Sequence, residues 1–190
     1  EARASVLARM TDVHLRELGE IERLAGIVRE RWAGEARCPD VALERSMSVE
    51  RLLLSYVRLA IAHRRNVESF GLEARLALEA HAVRVDALPE PTDARAYEWL
   101  ARRRDMLARR KAAWAAAETE REAIGQALAT IADVIRWMHE VGASTSADDV
   151  EIDRVLSSCL GALAKAPRAD VEAVIESNVL LEAPALCASA

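Results

Sequence analysis

Residues 87–93 read ALPEPTD, and the fold turns on this stretch. Proline lacks a backbone N–H and its ring clashes with the preceding helical turn, so Pro89 and Pro91 stop any helix that enters from the N-terminal side. Thr92 then reads as the N-cap of the next element. On both sides of the corner, apolar residues keep helical spacing over long distances. Two long helices joined by so short a turn are expected to lie antiparallel, with position i opposite roughly position 180 minus i.

The upstream helix is expected over 41–88. Val49, Leu53, Tyr56, Ala60, His63, Val67, Phe70, Ala74, Ala77 and His81 alternate spacings of four and three. A second stripe, Leu54, Val57, Ile61, Leu72 and Leu76, predicts a second helical neighbour. The downstream helix is expected over 93–141. Its seam is Leu100, Leu107, Trp114, Arg121, Leu128 and Ile135, interleaved with Arg103, Arg110, Ala117, Ile124, Ile131 and Met138. The second half of that seam is strongly apolar and the first half is thin. At about 1.5 Å per residue such a helix is roughly 75 Å long.

A first helix is expected over 2–33, carrying Leu7, Met10, His14, Leu18, Ile21, Ala25, Val28 and Trp32, and ending at Gly34 and Pro39. GASTSADD (142–149) reads as a hinge with Ser146 as a cap, followed by helices over 147–165 and 169–181. The expectation is an all-α, elongated antiparallel helical bundle. Residues 1–142 form its long three-helix part and 143–190 a short C-terminal two-helix segment.

Composition agrees. The 190 residues are 52% hydrophobic and 30% charged, with 7 Gly, 5 Pro, 1 Phe and 38 Ala, which favours helix over strand. Of the 26 basic residues only Lys111 and Lys165 are lysine. A net charge of −5 argues against a dedicated polyanion binder but leaves room for a local basic patch. Cys38, Cys159 and Cys187 have neither disulfide-framework nor zinc spacing, so a reducing compartment is expected: cytoplasm, nucleus or virion interior. No apolar run reaches the roughly 18 residues that span a bilayer, so a membrane partner is not expected. The chain starts at Glu1 and reads as a piece of a longer protein.

The main candidate for a functional surface is ARRRDMLARRKAAWAAAETE (101–120), where Arg102, Arg103, Arg104, Arg109, Arg110 and Lys111 fall within ten positions. In the antiparallel register Arg102–Arg104 come near Glu79, Arg109–Lys111 near Glu68 and Glu73, and Arg64 and Arg65 near Glu118. The strip is therefore expected to be answered by acids of its neighbouring helix. Each exposed pair contributes about 0–1 kcal/mol and sets register rather than stability. Trp99 and Trp137, near opposite ends of the same helix, are the candidate anchors; an exposed tryptophan is a favoured hot spot.

No motif in the sequence supports catalytic or metal chemistry. Glu-x-x-His and H-E-x-x-H are absent, so no metal site is expected. His14, His63 and His81 fall on seam positions, and Cys159 in VLSSCLGAL on an apolar helix face. No Gly-rich phosphate loop or nucleophile signature occurs. No catalytic residue and no cofactor are expected, and the chain reads as a non-enzyme.

The Ala/Arg/Leu-rich composition, the near absence of lysine and the long uninterrupted helix over 93–141 resemble the central helical regions of herpesvirus large tegument proteins. The resemblance implies a virion scaffold, an extended spacer with protein partners along it, and it carries over no catalytic residue. The function expected is a structural spacer and protein-interaction module whose partners are other proteins, including virion components. A homo-oligomer is left open. The alternative is a module that binds nucleic acid or an anionic surface through Arg102–Lys111.

Overall fold

The computed structural model describes residues 2–35, 39–142 and 149–164. The expected helix over 169–181, the Ser146 cap, Cys38 and Cys187 lie outside these. Among the described residues there are six helices and no strand: α1 (Ala2–Leu7), α2 (Asp12–Glu35), α3 (Pro39–Ser69), α4 (Leu72–Asp86), α5 (Ala94–Gly142) and α6 (Asp149–Leu163). The fold is all-α, and α5 runs uninterrupted for 49 residues, within a residue of the expected bounds.

Two expected helices are each broken in two. The helix over 2–33 stops at Leu7 and restarts at Asp12. Thr11 caps the new start, its hydroxyl lying 2.9 Å from Nδ1 of His14 and accepting from the His14 backbone N–H at 3.4 Å. A threonine followed by an aspartate is a helix start signal. The apolar stripe hid it, because Met10 in the gap is as buried as Leu18 beyond it.

The helix over 41–88 stops at Ser69 and restarts at Leu72, with Gly71 extended at φ −73° and ψ 155°. This break changes the phase of the seam. The buried residues of α4 are Leu78, Ala82 and Val85, not the expected Ala74, Ala77 and His81. Leu72 and Leu76, expected against a second neighbour, are exposed.

The described residues fall into two compact units. One runs to Arg64 and resumes at Ala123; the other is Arg65–Glu122. In the first, α2 and α3 pair antiparallel: Arg29 meets Glu50, Tyr56 donates to Glu17 at 2.6 Å, and Arg64 donates to the carbonyls of Ala8 and Met10. The C-terminal half of α5 contributes Ile124, Leu128, Ile131, Ile135 and Met138 to the core, as its seam predicts. Helix α6 adds Ile152, Leu156 and Cys159 to that same core, so it packs with the residues before 142 and not as part of a separate segment.

Polar groups at the edge of this core are paired. Arg136 donates to Glu17 and Glu20, and Glu17 also accepts from the fully buried Tyr56, whose phenol is pushed up chiefly by burial. Arg45 is buried and clamps α6. It donates to both carboxylate oxygens of Asp153 at 2.7 and 3.0 Å, to the Asp149 carboxylate at 2.7 Å and to the Asp149 carbonyl at 3.0 Å. Its guanidinium lies 5.9 Å from the centre of the Trp32 ring. The bidentate bond to Asp153 is the main reason its proton is held above the usual arginine range.

The second unit is a helical hairpin across the proline corner. Leu78, Ala82 and Val85 pack on Leu100 and Leu107, with Trp114 partly buried beside them. Arg103 meets His81 and Trp114 meets Phe70, so the facing position is nearer 184 minus i than 180 minus i. The far end is closed by a polar clasp. Buried Asn66 donates to the Ala117 carbonyl at 3.0 Å, and Arg121 donates to the Asn66 side chain at 3.2 Å and to the Phe70 carbonyl at 3.3 Å.

Two predictions follow from the first unit. Burial holds the His14 imidazole below its ordinary pKa, partly opposed by Glu17. The unfolded chain therefore binds more protons below the ordinary imidazole value of 6.5, so this contribution to stability is fully present above 6.5 and is lost as pH falls. Urea midpoints should drop from pH 7.5 to pH 5, and His14→Gln should flatten that slope. Replacing Arg45 by Met should loosen α6 by about 1–2 kcal/mol, since Asp149 and Asp153 are largely exposed and rehydrate. Amide exchange over 149–163 should quicken while that of α2 is unchanged.

Candidate protein-interaction surface

The N-terminal half of α5 carries the sequence candidates. Its start is capped by Asp93, not Thr92: the Asp93 carboxylate accepts from the Ala96 N–H at 3.1 Å, and its carbonyl from Tyr97 at 2.9 Å. Aspartate outranks threonine as a cap and places a negative charge at the positive helix end. Alanine and arginine then keep the helix intact where the seam is thin.

With Leu100 and Leu107 turned inward, helical geometry places a different set outward. Arg95, Trp99, Arg102, Met106, Arg109 and Ala113 follow spacings of four and three, and all are exposed. Trp99 is 67% exposed and Met106 56%. The Arg102 guanidinium covers the Trp99 ring at 5.4 Å from its centre, a cation–π contact that leaves its N–H donors available. This outward stripe of alternating apolar and cationic residues was not recognised in the sequence, where the strip was weighed by charge alone. The spacing itself was the signal.

The basic residues are not answered as expected. Arg103 donates to Nε2 of His81 at 2.8 Å, Arg104 reaches Glu90 at 3.7 Å, and Arg109 pairs with Asp105 on its own helix at 2.9 Å. Among the described residues Arg102, Arg110 and Lys111 have no ion pair. Glu79 is held by Arg75, which also takes Glu118 at 3.1 Å, and Arg64 bonds elsewhere. The register nearer 184 minus i and the phase change at Gly71 together move the acids of α3 and α4 away from their expected partners. What results is a net +5 over residues 102–111, mostly in solvent.

A shallow cleft of about 570 Å³ lies at the corner, walled by Leu88, Pro89, Pro91, Trp99, Leu100 and Arg103. It is the inner neighbour of the outward stripe, and Trp99 belongs to both. Trp137, the other candidate anchor, is instead partly buried against the core of the first unit. A second apolar patch, Leu72, Leu76 and Val83, is exposed on α4.

The remaining candidates are in structural settings. His14 stands edge-on to both His63 and Tyr56, at 5.1 and 6.5 Å. Cys159 is buried and its thiol is pushed up by burial, away from the reactive thiolate. Among the described residues no group of three or more His, Cys, Asp or Glu is placed to hold a metal ion, and no helix is long and apolar enough to cross a membrane.

The chain is thus an all-α protein with a basic and apolar helix face exposed beside a proline-walled cleft. No family model, curated protein or solved structure matches it. Trp99 should provide the most solvent-accessible indole among the described residues. In the native chain its emission should be quenched by iodide, drawn in by the neighbouring arginines, more than by caesium. Trp99→Phe should remove that component; equal quenching by both ions would mean that the arginines do not dominate the local field.

Proposed function

We propose that this chain is a structural spacer and protein-interaction module, of the kind that the central helical regions of herpesvirus large tegument proteins provide, with virion components among its partners. The observation that carries this reading is the outer face of α5, where Trp99 and Met106 are held in solvent between arginines on a rigid helix. Exposed large apolar side chains grouped in this way are a mark of partner surfaces. The spacer part is supported by α5 itself: 49 residues at about 1.5 Å each give a single element of about 74 Å.

The exposed Arg102, Arg110 and Lys111 favour one other reading, a module for nucleic acid or an anionic surface. It is opposed by the net charge of −5 and by the scarcity of aromatic residues on which bases could stack. Two measurements separate the readings. Spin labels at Glu98→Cys and Glu140→Cys, with the native cysteines replaced by serine, should report about 63 Å along α5. A short or broad distribution would defeat the spacer. Binding to a generic DNA duplex or to phosphatidylserine vesicles at physiological salt should be weak. Tight binding abolished by Arg102→Glu, Arg103→Glu and Arg104→Glu together would favour the alternative.

A further inference from the structure

We infer that the outer face of α5, from the proline corner to Lys111, docks an acidic amphipathic helix of a partner protein whose apolar anchor enters the corner cleft. The inference rests on the reading of the chain as an interaction module, and it adds where the partner binds and what its chemistry is.

Charge complementarity sets the sign of the partner. Around α5, Arg102, Arg109 and Arg110 lie within about 60° of Met106, whereas Arg104 and Lys111 lie on the far side. The acids flanking this face are Glu98 and Asp105, the latter held by Arg109, and Arg102 and Arg110 have no ion pair among the described residues. A carboxylate brought to Arg102 or Arg110 gains a charge-assisted bond without breaking an internal one. Spacing sets the shape. Trp99, Met106 and Ala113 recur every seven residues, with Arg102 and Arg109 interleaved at every third or fourth position. A partner helix packed along α5 would meet an apolar residue once every two turns, flanked by cations. It needs apolar residues in the same heptad rhythm and glutamate or aspartate beside them.

The cleft sets the anchor. It is lined by Leu88, two prolines, Trp99 and Leu100, together with Arg103 and with Glu90, whose charge is met by Arg104. About 570 Å³ of open, mostly apolar space takes a Leu, Phe or Trp side chain with room for the turn that carries it. Proline walls lose little conformational entropy on binding, so the cleft is preorganised.

Nucleic acid fits the same face less well. Met106 interrupts the cations at the middle of the stripe, and the Trp99 ring, the one aromatic on it, is already covered by Arg102.

The test is a selection with the full chain against a displayed library of random 16-residue peptides. The expected binders share two apolar residues at helical spacing among three or more acids. A synthetic, fluorescein-labelled binder should lose at least tenfold in affinity with Trp99→Ala, and again with Arg103→Glu plus Arg110→Glu. It should be unaffected by Leu76→Ser on α4. Trp99, Arg110 and Leu76 are exposed, and Arg103 gives up one exposed bond to His81, so melting curves should shift only slightly. The same peptide with lysine for each acid should not bind. Binders indifferent to both α5 variants would overturn this site while leaving the interaction-module reading standing. No binders at all would overturn both. A 20-base-pair duplex that displaces the peptide would overturn the inference in favour of nucleic acid, and self-association lost in the Arg103→Glu, Arg110→Glu variant would do so in favour of a second copy.

Discussion

The phase of one apolar seam governs the hairpin unit. Helix α3 ends at Ser69 and α4 begins at Leu72, and the extended Gly71 between them resets which side of the chain faces α5. A helix turns by about 100° per residue, so a shift of a single position exchanges a seam residue for a flanking one. Leu78, Ala82 and Val85 come inward; Leu72, Leu76 and Val83 stay outside. The break is tolerated because its freed polar groups are taken up. Arg121 donates to the Phe70 carbonyl, Asn66 donates to the Ala117 carbonyl, and Phe70 meets Trp114 edge to face at 5.2 Å. Buried polar groups without such partners would each cost about 1–3 kcal/mol.

From that one reset the character of the surface follows. In the phase of α3, Glu73 and Glu79 of α4 are expected to face arginines of α5. Instead Arg75 collects Glu79 and Glu118, while Arg109 turns to Asp105 on its own helix. Exposed pairs of this kind are worth little and have no power to pull a packed seam into another register. Apolar burial decides the geometry, and the charges find whatever partners that geometry leaves. The basic face and its two apolar side chains are therefore a consequence of core packing.

The two units are built differently. In the first, three long helices and α6 bury a continuous core in which Ile21, Tyr56, Ile131 and Ile135 are wholly enclosed. Its polar residues tie elements together: Arg45 holds α6, and Glu17 joins Tyr56 to Arg136. The hairpin unit has five buried apolar residues in its cluster and large apolar side chains in solvent on both helices.

The sequence alone was sufficient for the class of fold, for the corner at Pro89 and Pro91, for α5 to within a residue, and for the apolar half of its seam. Those features are local: proline sterics, helix propensity and a regular spacing of large apolar residues need no knowledge of the neighbour. It also marked Arg102–Lys111 and Trp99 as the surface to examine. Only the tertiary structure separated Trp99 from Trp137, because two tryptophans on one helix differ in what packs against them, not in their local pattern. The breaks at Thr11 and Gly71 were visible as single residues, but the stripe ran across both and outweighed them. Which acids meet which arginines depended on the phase across the second break, a nonlocal quantity set by how Leu78 and Val85 seat against Leu100 and Leu107.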